Sequence, residues 1–117
     1  MSSKAITAEE RNLKIKASTV KRLAKDITVY KEEARRQQER IENLETSGAD
    51  IHDVRKQQEV LQETLVMIPD TKRRLEGAFA ELEGLLATAT HLKESDEFSA
   101  AAAVVDAVRP QLAPEYE

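Results

Sequence analysis

The sequence predicts an all-α protein: an elongated antiparallel three-helix bundle whose second helix is kinked at a proline. Three observations point there. Charged residues make up 34% of the 117 positions and aromatic ones only 3%, with three glycines and three prolines. A chain so rich in Ala, Glu, Lys, Leu and Arg favours helices, and its few aromatics imply a narrow aliphatic core. Apolar residues recur at a 3-4 spacing through most of the chain. That spacing is interrupted clearly only around residues 46–50 and 91–95.

The first helix is expected from about 8 to 46. Thr7-Ala8-Glu9-Glu10 has the form of a capping box, a hydroxyl at the helix start and a carboxylate three residues on. Leu13, Val20, Ile27, Ala34 and Ile41 step by sevens. Lys16, Leu23, Tyr30, Gln37 and Leu44 lie three residues after each. All but Lys16 and Gln37 are apolar, counting Ala and Tyr, which marks a bundle or coiled-coil helix. Thr46-Ser47-Gly48-Ala49 ends it, because glycine takes the left-handed conformation just past a helix end. Asp50 caps the next helix, and so short a loop favours an antiparallel hairpin.

The second helix is expected from about 51 to 90. Its apolar frame reads Ile51, Val54, Gln58, Leu61, Leu65, Ile68, Lys72, Leu75, Phe79, Leu82, Leu86 and Ala89. This register passes through Pro69 without a skipped residue. An interior proline removes one hydrogen bond and crowds the preceding turn. An uninterrupted register therefore implies one bent helix, not two. A third helix is expected over about 96–109, after a turn at His91 to Glu94. Ser95 is its cap, Asp96 and Glu97 complement the helix dipole, and Phe98, Ala101, Val105, Val108 and Leu112 carry the spacing. Pro110 ends or frays it. The whole of 1–117 reads as a single domain with a flexible N-terminal extension and a flexible tail from Ala113 to Glu117.

Several function classes fall away. The net charge is −4 and the pI about 5.3, against general nucleic-acid binding. There is no cysteine, hence no disulfide and no thiolate metal site. No apolar run reaches the ~20 residues of a membrane span, and the N-terminus does not resemble a signal peptide. His52 and His91 sit near opposite ends of the second helix, too far apart to share a metal. No glycine-rich phosphate loop or catalytic constellation is present. The expectation is a non-enzyme without cofactor or metal.

Two surface features stand out. Residues 11–25, RNLKIKASTVKRLAK, carry Arg11, Lys14, Lys16, Lys21, Arg22 and Lys25 and no acidic residue. Such a stripe is either a solvated basic face or a docking stripe for an acidic partner. Leu65-Val66-Met67-Ile68 places four apolar residues in a row before Pro69. They cannot all face one seam, so Val66 and Met67 fall outside it. Val60 lies one heptad before Met67, and Ile15 and Val29 are similarly misplaced on the first helix. Such residues are either covered by the third helix or form an exposed patch that holds another protein.

The strings VKRLAKDITVYKEEARRQQERIENL (20–44), QQEVLQETLVMIPDTKRRLEGAFAELEGLL (57–86) and FSAAAAVVDAV (98–108) closely resemble the tubulin-binding cofactor A family. The string from Met67 to Glu76 is the most specific. The resemblance implies a three-helix bundle with a proline-bent second helix. It implies capture of quasi-native β-tubulin after chaperonin release, and indirect dealings with the other tubulin-folding cofactors on the way to the αβ heterodimer. It further implies a cytoplasmic, cytoskeleton-associated protein that is a monomer or weak dimer, binds neither nucleic acid nor membrane, and hydrolyses no nucleotide. Departures are Thr71, where many members carry cysteine, an alanine-rich third helix, and a short N-terminal extension. On this resemblance Lys14, Lys21, Arg22, Arg73 and Arg74 supply charge to the tubulin contact. Val60, Val66 and Met67, with the bend at Pro69, supply its apolar and shape-matched part. The alternatives are a self-associating coiled-coil scaffold and a general holdase.

Overall fold

The structure, a computed structural model, describes residues 5–112. Three α-helices account for most of them: α1 (Ala8–Thr46), α2 (Ile51–Thr88) and α3 (Asp96–Val108). Short 3-10 turns at Thr90–Leu92 and Arg109–Leu112 complete the described chain, which contains no strand. The expected flexible ends at residues 1–4 and 113–117 lie outside the described residues.

Each helix end has a local cause. At the start of α1 the Thr7 N–H donates to Glu10 Oε1 at 2.9 Å, and the Glu10 N–H donates to Thr7 Oγ1 at 3.1 Å. Two donors with no intrahelical partner are thus satisfied reciprocally. At its end Gly48 adopts φ +75°. The Ala49 N–H reaches back to the Leu44 carbonyl at 3.0 Å and the Gly48 N–H to that of Glu45 at 3.2 Å. This paired closure satisfies two of the last carbonyls and requires the left-handed residue that glycine supplies without strain. The Asp50 carboxylate then accepts from the His52 N–H at 2.7 Å and starts α2. Ser95 Oγ accepts from the Phe98 N–H at 3.1 Å and starts α3, with Asp96 and Glu97 in its first turn.

The chain packs as two compact units, Met1–Ala24 with Arg74–Glu117, and Lys25–Arg73. In the first unit three helices share a core. Leu13, Ala17, Val20, Leu23 and Ala24 come from α1; Leu75, Phe79, Leu82 and Ala89 from the α2 side; and Ala101, Val105 and Val108 from α3. Leu13, Val20, Leu75 and Leu82 are fully buried. Each such leucine contributes about 1.5–3 kcal/mol of burial, an upper figure because the unfolded chain also hides some surface. Polar contacts tie the edges: the ion pairs Lys16 Nζ to Glu81 at 2.8 Å and Arg109 Nη1 to Glu83 at 2.9 Å, and a hydrogen bond between His91 Nε2 and Glu9 at 2.9 Å. Arg109 also lies 5.4 Å over the Phe79 ring, a cation–π distance.

The second unit is a helical hairpin, and its seam differs from the expected one. On α1 the buried residues are the expected Ile27, Ala34, Gln37 and Ile41. On α2 the covered stripe is Val54, Gln57, Leu61, Thr64, Ile68 and Thr71. Ile51, Gln58 and Leu65, expected in the seam, are exposed, Ile51 at 58% and Leu65 at 40%. The reason is the number of neighbours. With one partner helix, a helix hides only a narrow stripe. In the first unit α3 adds a second neighbour, and Phe79, at the same heptad position as Ile51 and Leu65, is buried there. One polar cluster sits in the hairpin seam. Gln37 Nε2 donates to Gln57 Oε1 at 2.7 Å and to the Gln57 carbonyl at 3.0 Å, while Arg40 Nη1 donates to Gln37 Oε1 at 2.6 Å. Buried at 5% exposure, Gln37 bonds in one register only and so fixes the pairing of the helices.

Candidate protein-binding surface

Pro69 lies inside α2, which is one helix from Ile51 to Thr88, and its side chain is exposed. Having no N–H, it gives the Leu65 carbonyl no donor from position 69. Around it the second unit shows a concentration of exposed apolar side chains. Val66 is 64% exposed, Val60 42% and Met67 37%, so neither the third helix nor a wide core covers them. Val60 and Met67 are seven residues apart and share one stripe. Ile51 and Leu65 form another, on the opposite flank of the buried seam. Val29 of α1 is exposed as well. Arg73 is exposed and pairs loosely with Asp70 at 3.5 Å. The second unit thus gathers Val60, Val66, Met67, Pro69 and Arg73 on one stretch of α2.

The remaining predicted site residues belong to the first unit. Lys14, Lys21 and Arg22 are exposed on α1, and Arg74 is exposed on α2. Lys14 and Lys21 border a groove of about 300 Å³ between α1 and α3. Ala17, Ser18, Asp96, Glu97, Ala100, Ala101 and Val104 complete its lining. Sequence reading missed that α3 supplies this second wall. Nothing in a single helix's spacing tells which neighbour its outer face meets. The exposure of Ile51 and Leu65 was also missed, although Gln58, the polar residue between them in the expected frame, was a signal against that frame.

The charged groups form local networks. Glu32 accepts from Arg35 Nε and Nη2 at 3.0 and 2.8 Å and from Arg36 Nε at 3.1 Å; Arg35 also reaches Glu39 at 2.8 Å. Hydrogen bonds from Arg35, the largest cause, hold the Glu32 carboxyl at about 2, below its usual range. The same contacts raise the Arg35 guanidinium. This network is confined to α1 and stiffens its exposed face. Among the described residues no group of three His, Asp or Glu side chains is placed to hold a metal. No helix among them is long and apolar enough to cross a membrane. What the arrangement offers chemically is surface: exposed aliphatic side chains with arginines in the second unit, and a lysine-rimmed groove in the first.

Known proteins are similar to this chain in sequence and fold. Residues 8–105 match the family model described as tubulin binding cofactor A. The chain is 41% identical over 99 residues to the tubulin-specific chaperone A of Homo sapiens, covering 85% of this chain and 92% of that one. It is 44% identical over 87 residues to the tubulin-folding cofactor A of Arabidopsis thaliana, covering 74% of each. Among solved structures, the tubulin-binding cofactor A of Leishmania major superposes with a TM-score of 0.78 at 26% identity, over 92% of this chain and 99% of that one.

Proposed function

Because the chain belongs to the tubulin-binding cofactor A family, we propose that it captures quasi-native β-tubulin after chaperonin release and holds it for assembly into the αβ heterodimer. One observation carries the reading beyond family membership. The second unit leaves Val60, Val66 and Met67 exposed, and Arg73 is exposed on the same helix. Exposed aliphatic surface of this kind suits a protein that covers another protein's unpaired apolar face. Methionine adapts to such a face, and the arginine orients it. Lys14, Lys21, Arg22 and Arg74 add positive charge in the first unit.

Function here is binding, without catalysis, cofactor or nucleotide. Hand-over to other tubulin-folding cofactors follows from release of the held subunit, and the work is cytoplasmic. Pro69 has two roles to be separated, shaping α2 for the client or only for its own packing. Exchanging Arg73 and Arg74 for Glu tests the surface. Capture of labelled β-tubulin on a native gel should fall while far-UV circular dichroism stays unchanged. Full capture by the double variant would remove both arginines from the interface.

A further inference from the structure

In the first unit α3 is held more lightly than α1 and α2 hold one another. The residues it buries are Ala101, Val105 and Val108. To the same core α1 and α2 bring Leu13, Leu23, Leu75 and Leu82. Burial stabilises in proportion to apolar area, so an alanine and two valines hold less than four leucines. Open grooves run along both sides of α3. One, of about 300 Å³, is bordered by Ala17 of α1 and by Ala100, Ala101 and Val104. The other, of about 360 Å³, is bordered by Leu86 and Ala87 of α2 and by Ala102 and Val105. Side chains along a groove lack partner atoms on one side and forfeit that part of their contact. Arg109 pairs with Glu83 at 2.9 Å, but both side chains are exposed and such pairs contribute little. Gln111 Nε2 reaches the Ala24 carbonyl at 3.4 Å, long for a hydrogen bond. What α3 covers is larger than what it brings. Phe79 is 7% exposed, although Ile51 and Leu65, at the same heptad position, are open where only two helices pack.

We propose that α3 is a detachable cover. It leaves the α1–α2 pair of the first unit as one piece while that pair stays folded, and a client held by the protein displaces it from the Phe79 face. The second half rests on the reading that this chain captures a client, and says how the first unit gains apolar surface for it. With α3 docked, the large apolar residues exposed in that unit are Ile6 and Ile15. Opening adds Phe79 and frees Leu86, which is half-covered beside α3. The connection to α2 allows such a movement. Ala89 is buried and His91 is tied to Glu9 at 2.9 Å, so the 3-10 turn stays with the pair and the pivot falls at the exposed Lys93 and Glu94. The cap of α3 travels with it, because Ser95 Oγ accepts from the Phe98 N–H within the same first turn. Parts of a fold with few buried apolar contacts open at lower free energy than the whole. A segment that takes the Phe79 face binds only the open state and so draws the population towards it.

Amide hydrogen exchange of the full chain, read by NMR over a series of low urea concentrations, tests the cover. The amides of Val104, Val105 and Val108 should share one urea-dependent opening and be protected at least about tenfold less than that of Leu82. Urea dependence separates undocking, which exposes surface, from fraying, which exposes little. Leu75→Ala, in the part of the core that stays folded when α3 leaves, should lower the protection of Leu82 by about tenfold or more and leave that of α3 unchanged. Should that variant fail to fold, Leu75→Val gives the same reading at smaller amplitude. Equal protection of α3 and Leu82, exchange of α3 by urea-independent fraying alone, or a parallel loss at both in the variant would overturn the proposal. The same exchange, read by mass spectrometry on the complex with β-tubulin, tests displacement. Residues 96–108 should exchange faster than in the free chain and residues 75–86 more slowly. Slower or unchanged exchange of 96–108 in the complex would overturn displacement. If no complex forms, the β-tubulin reading falls, and the free chain still decides whether α3 detaches.

Discussion

Replacing Pro69 with alanine probes the least ordinary position in α2. The ring lies on an exposed side of a helix that continues for some five turns on either side of it. Its removal therefore opens no cavity, and the balance is set by the backbone. Alanine restores an N–H that can bond the Leu65 carbonyl and removes the crowding of that carbonyl, a gain of ~3 kcal/mol in a helix interior. Against this, proline restricts the unfolded chain, which alanine gives up at a cost of ~0.4–1 kcal/mol. The expected net is a stabilisation of about 2 kcal/mol, or roughly 10 °C in Tm for a domain of this size. Thermal and urea unfolding followed by circular dichroism measure it. An unchanged or lowered Tm would refute the reasoning: the seam at Ile68 and Thr71 would then depend on a local geometry that only proline maintains. The same variant sorts the two roles of the residue. Raised stability with unchanged tubulin capture leaves the proline no part in binding; raised stability with weakened capture assigns it one.

Three further predictions follow from burial and charge. Leu82→Ala, at a fully buried site in the first unit, should cost about 2–5 kcal/mol, while Leu65→Ala, on the open flank of the second, should cost well under half of that; equal losses in urea unfolding would contradict the open flank. Gln37→Ala strands the Gln57 and Arg40 groups that bond it and should cost about 1–3 kcal/mol, whereas no loss would show that the cluster does not fix the hairpin register. Glu32 has a folded pKa of about 2, below its ordinary 4.5, so its contribution is present above about 4.5 and is lost as the pH falls through 2. Glu32→Gln should therefore flatten the acid limb of a stability–pH curve in that window, and an unaltered limb would place the acid sensitivity elsewhere.

Much of this was legible from local chemistry. The capping box at Thr7 and Glu10, the Gly48 turn, the Asp50 cap and the Ser95 cap each depend on residues within five positions of one another. Their boundaries could accordingly be read without tertiary knowledge. The α1 seam was equally legible, because Leu13 through Ile41 keep one face inward in both units. The α2 seam was not. Ile51 and Leu65 continue the spacing of Phe79, but only Phe79 has a third helix beside it, and periodicity carries no count of neighbours. The exposed set at Val60, Val66 and Met67 was visible as a misfit in the pattern; which of its two explanations held needed the burial. The groove depends on α3 approaching α1 from a distant part of the chain, so only its lysine rim showed in the sequence.

The central claim is selective capture of β-tubulin. Chaperonin-released, labelled β-tubulin would be mixed with the wild-type chain and separated by size exclusion and native gel, with α-tubulin and an unrelated unfolded protein in parallel. A discrete complex with β-tubulin alone is the predicted result. A folded chain that forms no complex, or one that takes up the unrelated protein equally well, would contradict it and favour a scaffold or a general holdase.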